Sequence, residues 1–252
     1  MKRQLTRMMI GLIALGLFSA CESGTKNGVQ TNVAVENSAN EQAESPNESK
    51  SSAPASAIRC TIDGSIDHNR WIEGQQAIVT FDRFPANLQE FEQVRAQIGR
   101  EPQGAVALQV MAFELYRCNA NEGAKALELN NTSTNNTSCL RQLKEIMSTK
   151  DSYYARPYIA AALLKGANPE NSYTPTEPYQ LEMRVNPVSK YQESEFLGGT
   201  VIYLQIDSKG WDTNWRGVEV VKPEGSDCYV VSNCPAMYTQ CKKIKGAWNG
   251  LK

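Results

Sequence analysis

Hydrophobic and polar positions divide the chain into stretches of different period. Met8 to Phe18 is an apolar run broken only by Gly11 and Gly16, with Lys2, Arg3 and Arg7 ahead of it. At about 11 residues it is too short to span a bilayer, which takes roughly 20. A basic stretch before a short apolar one is the layout of a signal peptide. Glu22 to Ala57 contains no aromatic residue and no Leu, Ile or Met. Such a segment cannot offset its conformational entropy by burial, so disorder is expected there. Ala77 to Phe81 is β-branched and apolar and predicts a strand, which Phe84-Pro85 ends. Asn87 with Glu90 three residues later forms a capping-box pattern, and Leu88, Phe91, Val94 and Ile98 follow on one helical face, with Gly99 as the stop. Pro102 opens a second helix whose positions from Ala105 to Tyr116 are almost all apolar. A helix apolar all round belongs in the middle of a core.

The next stretch, Asn119 to Ser138, is biased to Asn, Thr and Ser and reads as a loop. Leu140, Leu143, Ile146 and Met147 then mark an amphipathic helix. A last helical piece is expected at Tyr153 to Ala155, and Pro157 either starts a new helix or breaks the old one. Beyond Gly166, Pro169, Pro175, Pro178 and Pro187 rule out a long helix. Tyr179, Leu181, Met183 and Val185 alternate with Gln180, Glu182, Arg184 and Asn186, the clearest half-buried strand in the chain. Leu197 to Asp207 predicts the next, with Ile202, Leu204 and Ile206 on one face. Val218 to Val221 and Cys228 to Val231 flank Lys222 to Asp227, a hairpin turn rich in turn-forming residues. A strand and helices around a buried central helix, followed by a mostly antiparallel sheet, make an α+β domain. The expected division is a leader over 1–20, Cys21 and a polar tether over 21–57, and one domain over 58–252.

The leader ends in Leu17-Phe18-Ser19-Ala20-Cys21. This resembles the bacterial lipobox, an apolar position, two small residues and an obligatory Cys, with Phe18 where Leu is more usual. The resemblance implies that Cys21 carries a diacylglycerol, that residues 1–20 are removed, and that the new amine is often acylated. Two or three chains anchor stably where one is marginal, at about 0.8 kcal/mol per buried CH₂. The expected location is therefore extracytoplasmic and membrane-anchored, on the outer face of the cell membrane or in an outer membrane where one exists. The tether carries Lys26 and Lys50 against Glu22, Glu36, Glu41, Glu44 and Glu48, which excludes a basic membrane-hugging tail.

Charge narrows the partners further. The chain carries a net −1 and no basic stripe, so nucleic acid is not expected. Six cysteines follow Cys21: Cys60, Cys118, Cys139, Cys228, Cys234 and Cys241. An extracytoplasmic setting permits disulfides, and six cysteines allow 15 pairings. Cys118 and Cys139 bracket the polar stretch and are the expected pair outside the Cys228, Cys234, Cys241 cluster. The spacing of that cluster is not that of a zinc site, and no metal or cofactor is expected.

Lys165-Gly166-Ala167-Asn168-Pro169-Glu170-Asn171-Ser172-Tyr173-Thr174-Pro175, then Pro178-Tyr179, resembles an uncharacterised domain of bacterial surface lipoproteins. So does Arg216-Gly217-Val218-Glu219-Val220 leading into its turn, as does Phe84-Pro85 before the capping box. The resemblance spans roughly Gln76 to Tyr229, with Tyr229 where the family hairpin usually carries Trp. It implies an α+β domain on a lipid anchor and carries over no activity or catalytic residues.

Catalytic patterns are sparse. The only His is His68, in a polar turn beside Asp67 and Asn69, and no glycine-flanked nucleophile accompanies it. Gly210-Trp211-Asp212-Thr213-Asn214-Trp215 joins two strands, and two indoles beside Asp212 and Asn214 suit a sugar ring or a protein partner. The alternative is that one or both rings fold back over the sheet. The expected function is a non-enzymatic binding or assembly module of the cell envelope, with an envelope protein or glycan as partner. A glycan-binding module centred on Trp211 and Trp215, and an envelope hydrolase with an unrecognised site, are the alternatives.

Overall fold

Strict alternation builds the sheet. The computed structural model describes residues 56–70, 74–148 and 153–251. The leader, Cys21 and the tether up to residue 55 lie outside the described residues. In β3 (Tyr179–Val185), Tyr179, Leu181, Met183 and Val185 are buried and the residues between them half-buried. The same face is continued by Ala77, Val79 and Phe81 of β2 (Gln76–Phe81), by Ile202, Leu204 and Ile206 of β5 (Gly199–Asp207), and by Val218 and Val220 of β6 (Trp215–Val221). With β1 (Cys60–Gly64), β4 (Tyr191–Ser194) and β7 (Val230–Asn233), the described residues form a seven-stranded sheet in the order β1-β2-β3-β5-β6-β7. Every pairing is antiparallel. The long β5 takes β3 alongside its C-terminal half and β4 alongside its N-terminal half.

Among the described residues, five α-helices lie between β2 and β3 in sequence. α1 (Leu88–Ile98) starts as expected: Asn87 Oδ1 accepts the Glu90 N–H at 2.9 Å. Its second orphan donor is met from a distance, since Leu88 N–H donates to Glu122 Oε2 at 2.6 Å. α2 (Pro102–Cys118) is buried from Pro102 to Leu115 and packs against β2, β6 and β7. It is the central helix that its composition predicts.

The stretch Asn119 to Ser138 corrects the loop expectation, because it folds as α3 (Ala120–Asn130) and the first turns of α4 (Ser133–Ile146). Asn119 closes α2 by donating its N–H to Leu115 O at 2.7 Å and opens α3 by accepting the Glu122 N–H on Oδ1 at 3.3 Å. Thr132 caps α4. The asparagines tolerate helix because their amides are buried against partners. Gln109 Oε1 accepts from Asn130 Nδ2 at 3.0 Å and Asn131 Nδ2 at 2.9 Å, and Asn135 Nδ2 donates to Asn131 Oδ1. Buried polar groups persist only when paired in this way. The helical piece expected at Tyr153 to Ala155 is also corrected. Those residues form a turn, and the short α5 (Ile159–Ala162) begins after Pro157.

Gly123 sets how closely α3 approaches α2. A Cβ added there would lie 2.1 Å from Tyr116 Cα and 2.2 Å from its N. Gly123→Ala is expected to force the helices apart and cost about 1–3 kcal/mol, as over-packing does. Thermal unfolding would register this as a fall of roughly 2–4 °C per kcal/mol. An unchanged midpoint would mean that the two helices are not in backbone contact.

Candidate functional site

The end of α4, the residues shortly after it and a segment roughly 80 residues further on enclose a recess of about 460 Å³. Gln142, Glu145 and Ile146 of α4 form one wall, Tyr238 to Lys243 the other, and Tyr153, Tyr154 and Arg156 the end. Tyr153 and Tyr154 are 73% and 65% exposed, large values for aromatic side chains. Their rings meet edge to face, with centroids 5.2 Å apart and planes at 89°. Lys243 Nζ stands 4.8 Å from the Tyr153 ring centroid. The rim thus offers aromatic surface beside amide, carboxylate and ammonium groups, a mixture suited to ligands that are partly apolar and partly polar.

Arg156 joins the three segments. Its backbone N–H donates to Ile146 O at 2.6 Å, its Nη1 to Tyr153 O at 2.9 Å and Ala155 O at 2.7 Å, and its Nε to Cys241 O at 2.8 Å. The guanidinium is therefore occupied in positioning main chain. Beneath the second wall, Tyr158 stacks on Tyr173 with centroids 4.9 Å apart. Tyr173 Oη donates to Lys242 O at 2.9 Å. Cys241 Sγ lies 3.6 Å from that hydroxyl, and burial pushes its thiol up to about 11. A thiol held protonated is a poor nucleophile. Gln240 holds a left-handed φ of 61°, an unfavourable conformation for a non-glycine residue that its surroundings must enforce.

The Gly210–Trp215 loop braces this wall from behind. Trp211 is 2% exposed, and its indole Nε1–H donates to Thr239 O at 2.6 Å. Gly210 O accepts the Lys242 N–H at 2.8 Å, and the exposed Asp212 carboxylate lies 3.2 Å from Lys242 Nζ. The backbone oxygen of the exposed Asn214 accepts the Ser208 N–H at 2.7 Å. Trp215 lies on the opposite, open face of the sheet, with the Arg184 guanidinium carbon 3.8 Å from its ring centroid and Arg184 Nε donating to Gln205 Oε1 at 3.0 Å. The expectation of two indoles presented together is thereby corrected: Trp211 belongs to the core, and the rings form no common surface. The loop contributes to the recess through support rather than contact.

The cysteines also differ from expectation. Cys118 is exposed at the end of α2, with Arg117 Nη2 3.2 Å from its sulfur. Cys139 is buried on the inner face of α4. The expected Cys118–Cys139 pair is not brought together, because the intervening residues are two helices rather than a loop that could fold one sulfur onto the other. Cys228 is half-buried beside Gly99, and Cys234 is buried after β7. Among the described residues, no group of three or more His, Cys, Asp and Glu side chains is placed to hold a metal ion. His68 lies in a short 3-10 turn with its ring 6.0 Å from that of Tyr191, and is not among the recess residues.

Sequence reasoning missed Tyr153 and Tyr154. The available signal was a pair of aromatics in a polar stretch next to Arg156-Pro157, where a helix was expected instead. Comparison with known proteins adds one match. A family model described as a domain of unknown function (DUF6935) matches residues 83–245, which include every residue of the recess. No curated protein and no solved structure matches the chain.

Proposed function

We propose, for a chain that belongs to the DUF6935 family of domains of unknown function, that it is a lipid-anchored, non-catalytic recognition module of the cell envelope and that the tyrosine recess binds an envelope glycan. The observation that carries this reading is the exposed Tyr153–Tyr154 pair at the end of a recess lined by Gln142, Glu145 and Gln240. Aromatic rings take the apolar faces of a sugar, and amides and carboxylates take its hydroxyls. The Cys241 thiol, pushed up by burial, and an Arg156 whose Nε and Nη1 are spent on main-chain carbonyls support binding over chemistry. Anchoring rests on the basic leader, the short apolar run and Cys21.

The test is equilibrium binding of detergent-solubilised full-length protein to purified envelope polysaccharide. Tyr153→Ala and Tyr154→Ala are each expected to weaken binding by about tenfold or more, as loss of a contact aromatic commonly does. Both side chains are largely exposed, so stability should shift by only about 0.5 kcal/mol. Unchanged affinity in the double variant would remove the recess from the proposal. Turnover of the polysaccharide by the purified chain would replace recognition with catalysis.

A further inference from the structure

Two thiols share one buried site behind the recess. Cys139 and Cys234 are both almost completely inaccessible, at 0% and 1% exposure. Gln109 Nε2 reaches both sulfurs, at 3.8 Å and 3.6 Å. Asn135, one turn before Cys139 on α4, has its Nδ2 3.4 Å from Cys234 Sγ. The neighbouring Cys234 and burial both push the Cys139 thiol up. The alternatives lie elsewhere: Cys118 is exposed beside Arg117, and Cys241 faces Tyr173.

We infer that Cys139 and Cys234 are a disulfide site that staples together the two walls of the recess. Cys139 sits on α4 one turn before Gln142, and Cys234 sits at the start of the short turn that leads into Tyr238. A covalent link there fixes α4 to the Tyr238–Lys243 wall at its base. Forming it breaks two S–H bonds and makes one S–S bond. Two protons and two electrons leave, and the acceptor is the disulfide of a thiol–disulfide exchange donor, which becomes a dithiol. Since both sulfurs are inaccessible in the folded chain, exchange takes place while the chain folds, before α4 closes over β7. In an oxidising compartment such a bridge persists. That compartment follows from the proposed export of the chain, whereas the pairing follows from the fold alone.

The experiment refolds denatured, reduced full-length protein in a glutathione disulfide redox buffer, followed by thiol blocking and non-reducing peptide mapping. The expected product links the Cys139 and Cys234 peptides, with a melting point on the order of 5–15 °C above that of the reduced protein. The Cys139→Ala variant should show Cys234 free and no rise on oxidation. Alkylated Cys139 and Cys234 in refolded wild type, or either joined to another cysteine, would overturn the pairing. The same mapping on protein taken from cells with thiols blocked at harvest tests the compartment separately. A bridge after refolding and free thiols in cells would uphold the pairing and count against export.

Discussion

Trp211→Ala is expected to bring the domain close to unfolding at physiological temperature. The indole is buried and joins the main core, and truncating a buried Trp costs about 3–5 kcal/mol through lost burial and the cavity left behind. The half-buried Thr239 carbonyl would also lose the indole donor, adding about 1 kcal/mol. Against a total stability of roughly 5–15 kcal/mol, that is a large fraction. Calorimetry should show the melting point falling by on the order of 10–20 °C at 2–4 °C per kcal/mol. Trp215→Ala, which removes a half-buried ring on the open sheet face, should cost far less. Equal, small effects from both substitutions would contradict the bracing role of Trp211 and reopen the loop as a contact surface.

Cys21→Ala is expected to have an all-or-none effect on lipidation. Under the proposed anchoring this thiol is the acceptor of the diacylglycerol, and no neighbouring side chain offers a thiol in its place. Radiolabelled fatty acid fed to expressing cells should mark the wild-type chain and leave the variant unmarked. A wild-type chain that takes up no label would end the anchoring proposal, whatever the recess binds.

Regular periods made much of the fold legible. The alternation from Tyr179 to Val185, the Asn87 cap and the all-apolar run of α2 each reflect a local rule that the tertiary structure leaves in force. The start of α4 was hidden because its helicity depends on remote partners. The asparagines from Asn130 to Asn135 find them in Gln109 and in the backbone of Val231, and isolated propensity predicts the opposite. The recess was hidden for a similar reason. Its walls come from α4 and from the chain after β7, and remote partners such as Arg156 and the Trp211 indole hold them in register. Trp211 did draw attention as an aromatic in a loop. Burial turned its ring inward, so the residue matters to the site from the reverse side.

The pairing of β2 with β3 also governs the order of assembly. The strands meet from Gln76 against Arg184 to Phe81 against Tyr179, with all five helices between them in the chain. A chain that emerges N-terminus first therefore presents β1 and β2 long before their neighbour exists. A two-stranded hairpin is at best marginal in water, and contacts between remote residues form slowly because ring closure precedes any gain. Until β3 arrives, the inner edge of β2 is an open row of donors and acceptors, able to pair with any extended segment nearby. The β1–β2 ribbon thus waits longest for its neighbour and is the most exposed to capture by a second chain on the way.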